Sequence, residues 1–192
     1  MFASAKDIRR DIANLLKPPR RMKVSEAVAE YMRVPVGGGN SVKWDKDTAA
    51  YMLDPMDCLN SRDYDAVIFV GPARTGKTIG LIDGWITYAI ICDPSDFLLV
   101  QLTQEKASEH SRKRLDRTFR CSPEIAKRLS PRKNDNNVHD KYFRAGNLLK
   151  IGWPSINVLS SSDYKYVALT DYDRWPDDVD GEGDGFSLAS KR

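Results

Sequence analysis

The chain has 192 residues and a net charge of +3, enough for one domain with a buried core. Cys58, Cys92 and Cys121 are widely spaced and form no C-x-x-C pair, so neither a zinc site nor a disulfide framework is expected. No signal-peptide pattern and no apolar run of membrane-spanning length is present, so no membrane partner is expected. The charge is segregated. Lys6–Lys23 holds seven Lys/Arg and two Asp, Arg112–Lys133 nine Lys/Arg and two acids, and Asp171–Asp184 seven acids and one Arg. Basic runs beside a separate acidic cluster suit a protein that touches a polyanion and also holds a metal–nucleotide, although solvated helix faces read the same way.

In chain order, Ile8, Ile12, Leu15 and Leu16 fall at helical spacing over residues 4–17, and Lys17-Pro-Pro ends that helix. A second short helix is expected from Ser25 to Met32, a loop or hinge from Pro35 to Asn40, and a helix interrupted by Pro55 over 47–60. Residues 1–60 therefore read as a helical extension and lead-in, and 61–192 as the core. Ala66–Val70 has the composition of a buried strand. It is followed by a glycine-bounded loop and a helix over 77–91. A second buried strand is expected at 96–102, a charged helix at 104–120, and a short helix from Ser122-Pro123 to about Leu129. Strands at 141–144 and 147–151 follow. A polar stretch surrounds Ser160–Ser162, and a strand over 164–170 delivers Asp171. This alternation predicts an α/β domain with a mostly parallel central sheet flanked by helices and ligands at the C-terminal strand ends, and the pattern Gly71-x-x-x-x-Gly76-Lys77-Thr78 between its first strand and helix points to the RecA-like P-loop NTPase (ASCE) class.

The loop Gly71-Pro72-Ala73-Arg74-Thr75-Gly76-Lys77-Thr78 fits the phosphate-binding pattern G-x-x-x-x-G-K-[ST] at every fixed position. Its glycines let the backbone turn so that N–H groups face a phosphate chain. The following helix would present its positive N-terminal end to that charge. Lys77 is expected to reach the β- and γ-phosphates of ATP, and the Thr78 hydroxyl to ligate Mg²⁺. Arg74 could lie along the γ-phosphate as an arginine finger in cis, or be a solvent-facing loop charge. The metal needs an acid at the end of a neighbouring strand, and Asp171 and Asp173 stand there.

The remaining candidates are weaker. Trp44 and Tyr51 could stack on a base or be core. Gln101 and Thr103 could face the nucleotide or be structural. His110 and His139 read as surface or capping residues. Arg112, Lys113, Arg114, Arg117 and Arg120 could contact DNA phosphates or lie along a solvated helix face.

Six segments together resemble a known family: Trp44 with Asp54-Pro-Met-Asp57, the Gly71–Thr78 loop, Leu99–Thr103, Gly152-Trp-Pro-Ser155, Val167–Val179, and Gly181-Glu-Gly-Asp184. Their order resembles the ATPase domain of the lambda-type large terminase subunit of tailed bacteriophages, from about residue 22 to 192. The resemblance implies an ATP hydrolase that drives double-stranded DNA into a procapsid. It implies a small terminase subunit and a portal ring as partners, a homo-oligomeric ring, and a place in the host cytoplasm at the portal vertex. It also implies a nuclease domain in the full-length protein, for which this segment carries no site. Arg74 matches the arginine that such terminases carry in this loop.

The strand-end acids depart from the family pattern. Aligned without gaps, Thr170 takes the metal-associated place, Asp171 the catalytic carboxylate's and Asp173 that of the second acid. Shifted by one residue, Asp171 is the metal-associated acid and Asp173 the catalytic carboxylate. The alternatives to a packaging motor are a helicase-like ATPase on nucleic acid and a nucleotide-binding assembly module with little turnover.

Overall fold

In the computed structural model, residues 4–6, 9, 12, 20–160 and 163–190 are described. Most of the helix expected over 4–17, part of the polar stretch at Ser160–Ser162 and the last two residues lie outside them. The sheet is built around β3 (Phe97–Val100), which pairs in parallel with β5 (Leu148–Gly152) and with β6 (Tyr166–Leu169). β4 (Asp140–Tyr142) adds to β5 antiparallel, giving the order β4-β5-β3-β6. The architecture is α/β with a mixed sheet flanked by helices.

The four apolar residues of β3 are all buried, and alternate ones serve opposite faces. Phe97 and Leu99 join Leu149, Ile151 and Ala168 in the larger core, beneath α1 (Val24–Tyr31) and α3 (Gly84–Ile91). Leu98 and Val100 join Val158, Leu159, Trp175, Val179 and Leu188, from α7 (Ile156–Leu159), the following loop and α8 (Gly185–Ser190). A strand covered on both faces reads as a continuous apolar run, which is why the sequence reveals it. Each such side chain contributes about 1.5–3 kcal/mol by leaving water.

Helix α3 continues a π-wound turn, Thr78–Asp83. From Ile86 to Ile91 it is buried all round, between α1 and the sheet. Trp85 docks it, with ring centroids 5.1 Å from both Phe97 and Tyr166. Gly84 allows the crossing with α1, because a Cβ there would lie 2.9 Å from Val28 Cγ2. The lead-in segment shares this core through Met52 and, on α2 (Leu53–Cys58), Met56. Pro55 sits in the first turn of α2, where its missing N–H costs no helical bond.

The charged helix also has a π-wound centre. It runs as α4 (Gln104–Glu109), a π segment His110–Leu115 and α5 (Asp116–Cys121), with α6 (Pro123–Ala126) after it. Lys141 on β4 is 1% exposed. It is held by Asp116 at 2.7 Å, Asn136 Oδ1 at 3.2 Å and the Asn137 carbonyl at 3.0 Å.

The segment 35–40, expected as a loop or hinge, is the turn of a small hairpin of β1 (Arg33–Pro35) and β2 (Ser41–Lys43), strands too short to show a period. One expectation fails. The strand expected at Ala66–Val70 is irregular backbone, with Ile68 82% and Val70 91% exposed. Its composition favours extended backbone, but a strand forms only where a neighbour takes its amides and carbonyls. Among the described residues no strand lies beside it. Only Phe69 of this segment packs on the core.

Candidate functional site

The site is assembled by the register of the parallel strands. Val100 is level with Gly152 on β5 and Leu169 on β6, so Gln101, Trp153 and Thr170 all emerge at one end of the sheet. Asp171 follows immediately, in the left-handed region at φ 50°, and reverses the chain into the 3-10 turn Tyr172–Arg174. The helix carrying the Gly71–Thr78 loop runs antiparallel to these strands. Its C-terminal end meets the start of β6, where Asp93 accepts a hydrogen bond from the Tyr166 hydroxyl at 2.5 Å. Its first turns meet the other end of the sheet. There Asp83 Oδ1 accepts from His110 Nε2 at 2.7 Å, and Gln101 Nε2 donates to His110 Nδ1 at 3.0 Å. The loop before that helix therefore lies at the C-terminal strand ends, as Asp171 does.

The loop is shaped by two left-handed residues, Arg74 at φ 65° and Gly76 at φ 78°. For an arginine this conformation is strained by about 1–3 kcal/mol, and such strain concentrates at ligand clamps. Arg74 and Asp171, both singled out by the sequence, are two of the three described non-glycine residues with positive φ, Asp180 being the third. The Thr75 hydroxyl donates to the Pro72 carbonyl at 3.0 Å, and the Tyr51 hydroxyl donates to the Thr75 carbonyl at 2.5 Å. Tyr51 thus braces the loop from the lead-in segment, whereas Trp44 packs on the core. The Lys77 ammonium folds back on the Gly71 carbonyl and on that of Pro72 at 2.8 Å. The amides of Ala73, Arg74, Thr75 and Gly76 donate to no main-chain carbonyl among the described residues. Among the described residues nothing hydrogen-bonds the Thr78 hydroxyl or the Arg74 guanidinium.

Hydrogen bonds sort the acidic segment. Asp178 accepts from the Gly183 amide at 2.6 Å and Asp180 from the Ile156 amide at 3.1 Å. Asp184 accepts from the Ser187 amide at 2.9 Å, and the Ser187 side chain, with that amide, holds its carboxyl below the usual carboxylate range. These three acids fasten turns. The exposed carboxylates of Asp171 and Asp173 take no hydrogen bond or ion pair from any described residue. The Thr170 hydroxyl is occupied, donating to the Val100 carbonyl at 3.1 Å. Among the described residues no hydrogen bond joins Thr170–Asp173 to the loop, and no group of three or more His, Cys, Asp or Glu is arranged to hold a metal. A Mg²⁺ ion takes few protein ligands and keeps waters and phosphates, so one hydroxyl and one carboxylate with free oxygens fit it.

His110 is not at the surface as expected. It is buried at 5% exposure, between Asp83 and Gln101, with Arg114 pairing to Asp83 Oδ2 at 3.2 Å. With Gln101 donating to Nδ1, the hydrogen on Nε2 points to Asp83, a tautomer assigned from the network. Gln101 is spent on this network, and Thr103 caps α4 by accepting from the Lys106 amide at 3.3 Å. The sequence offered one signal for the network, a lone carboxylate in the otherwise apolar stretch Thr78–Ile91. The basic helix is also partly committed. Lys113 pairs with Glu109 at 2.9 Å, Arg114 with Asp83, and Arg120 donates to the Asp116 carbonyl at 3.1 Å. Arg112 and Arg117 are exposed without a partner among the described residues.

Residues 38–192 match the family model of the phage terminase large subunit gpA, ATPase domain. The chain belongs to that family. The match takes in the Gly71–Thr78 loop, β3, β6 and the acidic segment, and begins within the β1–β2 hairpin, so α1 and β1 precede the part common to gpA ATPase domains. No curated protein and no solved structure matches this terminase chain.

Proposed function

We propose that this terminase domain is the Mg-ATP-hydrolysing motor that packages viral double-stranded DNA into the procapsid, built on a P-loop NTPase core. What supports the reading is that the loop, whose amides donate to no main-chain carbonyl among the described residues, and the partner-free carboxylates of Asp171 and Asp173 lie towards the same end of the sheet. The free amides of Ala73–Gly76 are donors for a polyphosphate, with the start of the helix behind them. Lys77 exchanges its loop carbonyls for β- and γ-phosphate oxygens. Arg74, held in its left-handed conformation, reaches the γ-phosphate and stabilises charge that develops there. Thr78 and Asp171 would hold Mg²⁺, which when bound neutralises charge between the β- and γ-phosphates. Asp171, whose carboxylate brings the charge that Thr170 lacks, is the metal-associated acid and leaves Asp173 to orient the attacking water.

Catalysis in such a site is positioning plus charge neutralisation. Hydrolysis is then coupled to DNA held by its phosphates, in the host cytoplasm at the portal vertex, with the small subunit, the portal and a ring of like subunits as partners. The full-length protein would add an endonuclease domain.

The first test is thermal unfolding with and without Mg-ATP. At a ligand concentration one hundred times Kd, stabilisation of about 2.7 kcal/mol is expected, and Lys77→Ala should remove it. Equal nucleotide stabilisation of that variant would sink the assignment of the loop.

A further inference from the structure

A cavity of about 740 Å³ opens at the end of the sheet opposite the Gly71–Thr78 loop, between the C-terminal end of α3 and the start of β6. Arg21 and Arg62 reach it from two separate segments, and Lys165 from a third. Neither arginine makes a hydrogen bond or ion pair with any described residue, and both are exposed. The acid in the lining is Asp93, and it is already answered by Lys165 and by the Tyr166 hydroxyl. Tyr88, 8% exposed, accepts from Asn60 Nδ2 at 3.2 Å, and its own hydroxyl hydrogen has no acceptor among the described residues. Three donor groups therefore face one cavity, two of them full positive charges that pair with no carboxylate among the described residues.

We propose that this cavity binds a phosphodiester group of a nucleic-acid backbone. Guanidinium forks match phosphate oxygens in pairs, and a tyrosine hydroxyl can donate to a third. The lining offers no free carboxylate to a cationic ligand, and the buried Tyr88 ring offers a base no stacking face. The contact is therefore to backbone and independent of sequence. Arg21 belongs to the basic run Arg20-Arg21-Met22-Lys23, in which Arg20 pairs with Glu30 at 2.8 Å and Lys23 with Asp57 at 3.5 Å, so that Arg21 is its free cation among the described residues. The proposal rests on the reading of the chain as a DNA motor. It puts DNA contacts at the sheet end away from the nucleotide, not on the helix 104–121, where four of six basic side chains are bonded internally.

Binding of a 30-base-pair duplex, followed by anisotropy from 50 to 200 mM salt, tests it. Arg21→Ala with Arg62→Ala should raise Kd at least tenfold and reduce the salt slope by about 2, near one for each phosphate that is no longer neutralised. ATP turnover without DNA should be unchanged, and because neither arginine has a partner among the described residues the melting temperature should hold. Arg112→Ala with Arg117→Ala is the comparator. Full binding by the cavity variant, or loss confined to the comparator, overturns the site and leaves the motor reading intact. No duplex binding by the unmodified chain overturns both. Stabilisation by inorganic phosphate that depends on Arg21 and Arg62, without duplex binding, would make this a free-anion site and also overturn the proposal.

Discussion

Replacing Asp83 by alanine tests the link between the loop helix and the sheet. The Asp83 side chain is 3% exposed and accepts from His110 and from Arg114. Alanine leaves the His110 N–H buried without an acceptor, which costs about 1–3 kcal/mol. The Arg114 pair counts for less, because that side chain is 39% exposed and regains water; about 0.2–1 kcal/mol is appropriate. Together the loss is about 1–4 kcal/mol, a sizeable part of the ~5–15 kcal/mol that holds a domain folded. In urea, with a slope of ~2 kcal/mol/M, the midpoint should fall by about 0.5–2 M. Asp83→Asn keeps an acceptor for His110 and should lose less. In a double-mutant cycle, His110→Ala should cost less in the Asp83→Ala background than alone, because the two share one bond. An Asp83→Ala midpoint unchanged within the error of ~0.5 kcal/mol would refute the network as a structural tie.

Gly152→Ala should destabilise by about 1–3 kcal/mol through overpacking, because the added Cβ would stand 2.6 Å from Val158 Cγ1; calorimetry reads this directly. Asp93 gives a pH signature. Burial works to raise its pKa, but hydrogen bonds from Lys165 and Tyr166 outweigh that and lower it. A carboxyl with a depressed folded pKa contributes stability that is fully present above its ordinary value of 3.8 and is lost as pH falls through the folded value. Melting curves between pH 5 and pH 2 should therefore be flatter for Asp93→Asn than for the unmodified chain, and parallel curves would contradict this.

The sequence was most legible where one element decides its own fate. The β3 run is apolar on both faces, so Phe97–Val100 reads as a buried strand without reference to any partner. The fixed positions of the Gly71–Thr78 loop carry their own backbone requirements, and the resemblance built on that loop and on the Tyr166–Asp184 segment named the family. What could not be read depends on neighbours. Ala66–Val70 has strand composition but no strand beside it. The Gly37–Gly39 turn joins strands only three residues long. His110 looks like any polar residue on a charged helix until Asp83 and Gln101 are brought to either side of it. The six aspartates of 171–184 look alike in the sequence, and only the amides that reach Asp178, Asp180 and Asp184 separate these anchors from the free carboxylates of Asp171 and Asp173.

Steady-state ATP hydrolysis with Mg²⁺, with and without double-stranded DNA, tests the central claim most directly, on the unmodified chain beside Lys77→Ala, Asp171→Ala and Asp173→Ala. The account predicts turnover by the unmodified chain that falls to background in all three variants, with Asp173→Ala retaining nucleotide-dependent stabilisation. Nucleotide binding without turnover, or turnover that survives Lys77→Ala, would contradict it.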